Sequence, residues 1–508
     1  MSALAASLVL AQVEKIVPPS IGYRALSPML LVFGVATLSV LIEAFAPAAW
    51  RTRLQLPVAL TGLGAALVAV GTLWADDVRV LTAADAVAID GPALFLQGAL
   101  VVLAAASLLL LADRGDESDP DHAVRGALPT EAFPLSLFSL AGMMLFVSAN
   151  TLLVLFLALE ILSLPLYLLC GLARRRRVLS QEAAVKYFLL GAFSSAFFLY
   201  GLALVYGYAD SVTYGDIATR VTTVGGNELL LYAGIALLGV GMLFKIGAVP
   251  FHSWTPDVYQ GAPTPVTAFM AAGTKLAAFG ALFRLLYVSF GSLRWDWRPA
   301  VWAVAILTMV VGAVIAVTQT DVKRMLAYSS VAHAGFILTG LAAANSLGLR
   351  GAMFYLVAYG FTVIGAFGVV TLVRDADGEA THLSQWQGLA RRSPLVATAF
   401  AVFLFALAGI PLTSGFSAKF AVFEAAVEGH AMPLVVVGVL ASAVTAFFYA
   451  RVVVLMFFQE PADDGPEVVV PSGVTAAALG LALAVTVLLG VLPDQLLGLA
   501  RDAGPFVR

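Results

Sequence analysis

Apolar runs of membrane-spanning length recur along almost the whole chain. A transmembrane helix needs ~20 mostly apolar residues, and backbone groups in lipid must form hydrogen bonds within their own segment. The pattern therefore predicts an all-α polytopic membrane protein with about fourteen transmembrane helices. They are expected near 28–47, 56–74, 92–112, 133–149, 151–172, 183–206, 228–249, 263–290, 299–318, 325–344, 349–373, 394–425, 432–457 and 472–492.

Two of these helices are predicted to be discontinuous, the seventh at Pro250 and the twelfth at Pro411. Proline removes a backbone donor and kinks a helix. The two sites lie five helices apart, and an odd offset places their units in opposite orientations, which is typical of inverted-repeat transporters. We predict N-terminal helices 1–3 in 1–130, a first five-helix repeat in 131–292, its inverted copy in 293–458, and helix 14 with a tail in 459–508.

The composition supports a membrane protein: 61% of the residues are hydrophobic and 12% are charged, against ~45–50% and ~25% in soluble domains. The net charge of −3 gives no basis for nucleic-acid binding. Cys170 is the single cysteine, which excludes an intramolecular disulfide and a CxxC metal or redox site.

The basic residues of alternate loops predict the orientation. One side receives the larger group, and the positive-inside rule places that side in the cytoplasm and both termini outside. The inner group is Arg51, Arg53, Arg174–Arg177, Lys323, Arg324, Arg374, Arg391 and Arg392, and the outer group is Arg79, Arg220, Arg294, Arg298 and Arg350.

Several ionisable residues fall inside apolar runs. A charge at the bilayer centre costs about 2.5–3.5 kcal/mol on insertion scales, so such groups need partners, water or neutralisation. Desolvation lowers the pKa of a lysine and a nearby carboxylate raises it again, so a buried lysine can gain or lose a proton when its neighbours move. The candidates for proton transfer are Glu160, Lys186, Lys245, Lys275, His333 and Lys419.

We expect Glu160 to pair with Lys245, so that opening of the pair releases a proton towards Lys275 or His333 and then Lys419. Alternative interpretations stay open. Lys186 could be an interfacial anchor, Glu160 a structural ion-pair partner, and His333 a packing residue. His252 and Asp257 follow the first break and could line an entrance or cap a loop; Glu43 is a further candidate, and tyrosine and phenylalanine are interpreted as lipid-facing or packing residues.

Three segments resemble the antiporter-like subunits of respiratory complex I. They run from Lys245 to Lys275, from Thr320 to Gly335, and from Gly409 to Phe420, and the resemblance covers roughly 130–460. Within that family, the chain is most similar to the subunit type that ends after its fourteenth helix and has lysine at position 419.

The resemblance implies two inverted five-helix bundles and a role in proton pumping. It implies that Glu160 and Lys245 form a pair, that Lys275 is a central relay and that Lys419 is the exit-side group. It also implies a bacterial plasma membrane, neighbouring antiporter-like and small membrane subunits and lipids as partners, and no cofactor or metal on this chain. NADH, FMN, iron–sulfur clusters and quinone would be bound by partner subunits. A subunit of a multisubunit sodium–proton antiporter is the main alternative, and a membrane enzyme acting on lipid-linked substrates and a structural scaffold are weaker ones.

Overall fold

The computed structural model describes residues 21–113, 128–173, 177–223, 227–375, 378–461 and 465–507, and these segments are mostly helical. The helices, in chain order, are α1 (Tyr23–Phe45), α2 (Ala48–Ala75), α3 (Gly91–Leu111), α4 (Ala132–Ser148), α5 (Leu152–Cys170), α6 (Arg177–Ala209), α7 (Tyr214–Thr223), α8 (Glu228–Ile246), α9 (Trp254–Gly261), α10 (Thr264–Ser289), α11 (Arg294–Val317), α12 (Val322–Ala343), α13 (Ser346–Val370), α14 (Leu389–Arg392), α15 (Pro394–Ala408), α16 (Ser414–Glu428), α17 (Met432–Phe458), α18 (Gly473–Val491) and α19 (Asp494–Asp502).

Twelve helices of the described segments are long and apolar enough to cross a membrane, and α4 and α15 are shorter apolar helices. The predicted polytopic helical class is confirmed, whereas the count of fourteen crossings stays a prediction. Several helices extend beyond their apolar runs. For example, α6 begins at Arg177, where the apolar pattern predicted a start near 183, because the polar but helix-favouring residues up to Lys186 continue the helix.

Both predicted helix interruptions are present. Helix α8 ends at Ile246 and α9 begins at Trp254, while α15 ends at Ala408 and α16 begins at Ser414. Gly247 and Gly409 close the first half of each broken helix with φ of 71° and 85°, a left-handed conformation that glycine adopts readily. Pro250 and Pro411 follow within the breaks and prevent the helix from continuing.

The polar centre of the molecule lies on three buried helices. The apolar spans of α10 and α13 are wholly buried and that of α12 almost so, whereas α1, α2, α6 and α17 bury only about a third of theirs. Helix α10 contains two π-helical turns, Met270–Thr274 and Leu285–Ser289. Helix α9 packs against both α6 and α12. The first broken helix therefore lies between the outer surface and the buried centre.

Some elements did not follow from apolar patterning. Helices α7 and α19 are short and amphipathic, and short strands form two small sheets at helix ends. In the first sheet β1 (Val80–Thr82) pairs antiparallel with β2 (Val87–Ile89). In the second, β3 (Val373–Asp375) lies between β4 (Gly378–Glu379) and β5 (Glu467–Val468). These segments are too short and too polar to produce a membrane-span signal.

We expect Gly415→Ala to destabilise the second broken helix. A Cβ at this position would lie 1.7 Å from the carbonyl oxygen of Ala406, so α15 and α16 would have to separate. Overpacking of this kind typically costs about 1–3 kcal/mol, and we expect a lower midpoint for thermal unfolding of the solubilised protein. Gly480→Ala is the control because nothing lies within 4 Å of a Cβ there. Equal midpoints for the two variants would contradict the expectation.

Candidate functional site

Lys245 lies in the last turn of α8, directly before the first break, and is only 4% exposed. Its Nζ donates to the hydroxyl of Tyr187 at 3.4 Å and lies 5.3 Å and 6.0 Å from the ring centres of Tyr187 and Tyr167. Tyr187 stacks on Trp254 of α9, whose indole donates to the carbonyl of Phe244 at 2.9 Å. Aromatic faces attract an ammonium. The two tyrosines can therefore stabilise a positive charge on Lys245, although neither of them is a base that would remove its proton.

Glu160 lies midway along α5 and is half-buried. Its Oε1 accepts a hydrogen bond from the Ser195 hydroxyl of α6 at 2.5 Å. Among the ion pairs of the described residues, none joins Glu160 to Lys245. The predicted contact is therefore open in this structure, with each partner bonded elsewhere, and its closure stays a prediction.

Lys275 follows the first π turn of α10 and is 4% exposed. Its Nζ donates to the backbone carbonyl of Ser330 on α12 and lies 5.3 Å from the ring centre of Tyr359 on α13. π turns are frequent at functional sites. Here the turn directly precedes the lysine at the meeting point of the three buried helices.

His333 lies one helical turn beyond Ser330 on α12 and is 2% exposed. Its Nδ1 shares a hydrogen bond of 2.7 Å with the hydroxyl of Tyr355, while Nε2 has no partner among the described residues. The ring of Tyr359 lies 5.0 Å from the His333 ring, centre to centre, and so contacts both this histidine and Lys275. The proton-transfer interpretation of His333 stays a prediction.

Lys419 lies in α16, after the second break, and is 5% exposed. Its Nζ donates to the carbonyls of Ala408 and Leu407 at 2.8 and 3.1 Å and to the Ser442 hydroxyl at 2.8 Å. The last carbonyls of a helix have no partner within the helix and carry a partial negative charge. The end of α15 at Gly409 therefore provides the acceptors for this ammonium.

The ring of Phe336 connects the last two groups. It lies 4.7 Å from Lys419 Nζ and 5.7 Å, centre to centre, from His333. Lys275, His333 and Lys419 thus follow one another across α10, α12 and α16, with Tyr359 and Phe336 between them. The structure brings these three predicted residues together, whereas Lys245 and Glu160 lie nearer the outer helices.

Lys186 differs from the other lysines because it belongs to a partly exposed ionic cluster. It pairs with Glu182 at 2.7 Å and with Asp257 at 2.8 Å, and 41% of its side chain is exposed. Asp257 also pairs with Arg324 at 2.8 Å. The side chains of Lys186 and Arg324 therefore place two positive charges beside the Asp257 carboxylate.

His252 lies within the first break and is partly buried. Its Nδ1 has no side-chain partner in the described segments. The ring lies 6.4 Å from that of Tyr328. An entrance role for His252 and Asp257 stays a prediction.

Lys323 and Glu43 both form ion pairs in the structure. Lys323 is predicted to lie in an inner loop, but it lies in the first turn of α12, is 3% exposed and pairs with Glu379 at 3.3 Å, because the 379–382 segment covers the start of this helix. Glu43 pairs with Arg51 at 3.3 Å and accepts hydrogen bonds from Gln55 and Thr130. Of the arginine run that was assigned to the inner side, residues 174–176 lie outside the described residues.

Sequence patterning missed the tyrosines of the site. Tyr187, Tyr355 and Tyr359 contact Lys245, His333 and Lys275 respectively, so the interpretation of all tyrosines as packing or lipid-facing residues was wrong. A tyrosine in an apolar run resembles any other aromatic residue, and its hydroxyl becomes informative only when its partner is known.

Patterning also missed a fully buried ion pair between Asp90 and Arg284. Two hydrogen bonds of 2.6 and 2.9 Å join them, and their side chains are 0% and 1% exposed. Asp90 caps α3 by accepting from the backbone N–H of Ala93, and it also accepts from the backbone N–H of Val507 near the C-terminus. The guanidinium of Arg284 lies 4.7 Å from the ring centre of Phe506.

We expect Tyr187→Phe to weaken proton transfer without harming the fold. The substitution removes the hydroxyl that accepts from Lys245 and keeps the ring that stacks on Trp254. Proton translocation, the role that the sequence resemblance implies, should fall severalfold in inside-out membrane vesicles, because the lysine loses its hydroxyl partner. Tyr200→Phe is the matched control, on the same helix but 62% exposed. Unchanged uptake in Tyr187→Phe would remove this hydroxyl from the pathway.

Buried ammonium groups at two helix breaks, within a multi-pass helical bundle, define the chain as a membrane protein of the ion-translocating, antiporter-like class. The family model described as "NADH:quinone oxidoreductase/Mrp antiporter, TM" matches residues 149–445. The chain belongs to this family.

Similar proteins identify the branch of the family. NADH-quinone oxidoreductase subunit N of Parafrankia sp. is 63% identical over 99% of this chain and 100% of its own length, and subunit N of Acidothermus cellulolyticus is 60% identical over 96% and 97%. A chain of respiratory complex I from Thermus thermophilus superposes with a TM-score of 0.78 at 33% identity, covering 94% of this chain and 100% of that chain. The sequence analysis predicted similarity to one subunit type of the family. These relatives confirm that similarity, and the type is subunit N.

A chain of the Mrp complex from Dietzia sp. also shares the fold. Its TM-score is 0.82 at 24% identity, over 95% of this chain and 97% of that chain. At this identity the likeness concerns the fold alone, so it does not favour the antiporter alternative over the subunit N relatives.

Proposed function

We propose that this chain is the proton-translocating membrane subunit of an NADH–quinone oxidoreductase, and that Glu160, Lys245, Lys275, His333 and Lys419 carry the protons. The central support is the burial of four ionisable side chains: Lys245, Lys275, His333 and Lys419 are each at most 5% exposed within a membrane bundle. A purely structural protein gains nothing evident from charges at this depth.

The contacts support an order of transfer. Glu160 lies on α5 and faces Ser195, and closure of its pair with Lys245 would hold a proton on that lysine. Opening of the pair releases the proton towards Lys275, which shares the ring of Tyr359 with His333. Lys419, at the second break, is the exit-side group. The ionic cluster of Lys186 and Asp257, together with His252, forms the entrance.

In this proposal, the five-helix repeat 293–458 is the inverted copy of the five-helix repeat 131–292. Five spanning units lie between Ala132 and Ser289 and five between Arg294 and Phe458, and the fourth unit of each set is broken. This arrangement supports the proposed repeats 131–292 and 293–458. We place both termini on the outer side of a bacterial plasma membrane, from the loop arginines.

Redox chemistry is assigned to other subunits. The subunit N relatives are named as parts of an NADH-quinone oxidoreductase. The chemistry of NADH and quinone, with the FMN and iron–sulfur clusters that the sequence resemblance implies, would take place on partner chains. This chain then binds neighbouring membrane subunits and lipids.

The test compares proton and sodium transport by the whole complex. Inside-out vesicles given NADH should acidify at the same rate in sodium-free and sodium-containing buffer, and ²²Na⁺ should not accumulate. Lys275→Met should lower acidification while the complex still assembles and oxidises NADH with an artificial acceptor. Sodium uptake that depends on Lys275 would replace this proposal by the sodium–proton antiporter function.

A further inference from the structure

An arginine-lined cavity lies on the predicted outer side, away from the row of lysines. It has a volume of about 590 Å³ and lies between the end of α10, the start of α13 and the C-terminal tail. Its charged lining residues are Arg294, Arg350 and Arg501, and no carboxylate belongs to the described lining, although Arg501 also pairs with the exposed Asp502 at 3.3 Å. Three guanidinium groups around one cavity favour an anionic occupant, and phosphate matches their planar geometry.

The start of α13 adds to this positive potential. Ser346 and Leu347, in the first turn, line the cavity, and Asn345 caps the helix by accepting from the backbone N–H of Gly348 at 2.7 Å. A helix N-terminus attracts anions. The Nε of Arg350 is buried and has no hydrogen-bond partner among the described residues, although a buried donor ordinarily has one. The cavity therefore contains an unused donor.

An apolar groove of about 350 Å³ adjoins the cavity, and Trp297 lines both. The groove follows α8 from Tyr232 to Leu243, which corresponds to a length of about 16 Å at 1.5 Å per residue. Apart from Asp296, its lining residues are uncharged, and almost all of them are apolar. The groove could hold an acyl chain and the arginine-lined cavity a phosphate, and these are the two parts of a phospholipid.

Two neighbouring elements favour a position of the cavity at the depth of lipid headgroups. Trp295 is 65% exposed next to the cavity, and tryptophan is enriched where the membrane meets water. Helix α19 follows the last spanning helix and is short and amphipathic, with Leu499 exposed on one face and Arg501 contributing to the cavity. Helices of this kind lie in the membrane interface.

We infer that an anionic phospholipid binds here, with its phosphate among Arg294, Arg350 and Arg501 and an acyl chain in the groove along α8. The site is separate from the proton pathway and does not depend on the order of transfer proposed above. The bound lipid would contact Phe506, which lines the cavity and packs on Arg284 of the buried ion pair. Occupancy would therefore help to hold the C-terminal tail in place.

Photocrosslinking of the whole purified complex tests the site. A diazirine-bearing phosphatidylglycerol is added in mild detergent, irradiated, and mapped by mass spectrometry of peptides. We expect labelling within 287–297 or 344–350, reduced by excess unlabelled phosphatidylglycerol but not by phosphatidylcholine or inorganic phosphate. Competition by phosphatidylcholine would indicate a groove without headgroup selection, and competition by inorganic phosphate would indicate a soluble anion; either result overturns the proposal.

Substitutions provide the second arm. Arg350→Gln should reduce labelling about fivefold, the effect expected for one basic side chain near anionic lipid. Arg220→Gln is the control because Arg220 is exposed on α7 and does not line the cavity. If Arg350→Gln fails to assemble, Arg501→Gln replaces it, since Arg501 is exposed. Equal labelling of the Arg501→Gln and Arg220→Gln complexes would contradict the inference. So would the absence of labelling in the wild-type complex, which is the result expected if a neighbouring subunit covers the cavity.

Discussion

Lys245→Arg is expected to abolish proton pumping as completely as Lys245→Ala. An arginine stays charged at every physiological pH, whereas a buried lysine can release its proton. Arginine also stacks on aromatic rings, so the rings of Tyr167 and Tyr187 can still accept the charge. The measurement is NADH-driven proton uptake by inside-out vesicles, with assembly followed by the yield of intact complex.

The arginine variant separates two roles that alanine cannot distinguish. If Lys245 only supplies a fixed positive charge to Glu160, arginine retains pumping and alanine loses it. If the lysine itself gains and loses a proton, both variants fail. Met242→Leu, a volume-conserving change on the same helix, should pump normally. Full pumping by Lys245→Ala would remove this residue from the proton pathway.

Arg284→Met is expected to produce the largest loss of stability of any single substitution considered. It leaves the carboxylate of Asp90, which is 0% exposed, without its partner. Breaking a buried ion pair by removing one member typically costs about 3–5 kcal/mol, because the remaining charge is uncompensated. We expect little folded protein and a strongly lowered thermal midpoint.

A double-mutant cycle shows whether the loss comes from the isolated charge. Combining Arg284→Met with Asp90→Asn removes both charges and should recover part of the stability, since the amide oxygen can still accept from Ala93, whereas the N–H of Val507 loses the second carboxylate oxygen as its acceptor. Arg24→Gln is the control, because the Arg24–Asp76 pair is 70% and 53% exposed and such pairs contribute about 0–1 kcal/mol. A double variant as unstable as Arg284→Met would contradict the explanation.

The spanning helices and both breaks could be predicted because each depends on local sequence. Apolar length sets the spans, and Pro250 and Pro411 with their preceding glycines mark the interruptions. The identity of the buried lysines also followed, since Lys245, Lys275 and Lys419 stand inside apolar runs. All three are at most 5% exposed in the structure.

The partners of these lysines could not be predicted, because they come from distant parts of the chain or from the backbone. Tyr187 lies 58 residues from Lys245, and Asp90 lies 194 residues from Arg284. Lys275 is bonded to a main-chain carbonyl, which every residue possesses and no sequence pattern reveals. The predicted contact between Glu160 and Lys245 rested on charge alone, and charge does not determine which of several acceptors a side chain reaches.

The surroundings of Lys419 impose a particular kind of control on the second half of the chain. Two of its three acceptors are peptide oxygens at the end of α15, and the third is the hydroxyl of Ser442. None of these three acceptors titrates in the physiological range, so no carboxylate among the described hydrogen-bond partners of Lys419 can adjust the lysine by changing its own ionisation. The proton affinity of Lys419 then depends on geometry. If α15 moves away from α16, the lysine loses its carbonyl acceptors, so its protonation responds to the movement of a helix.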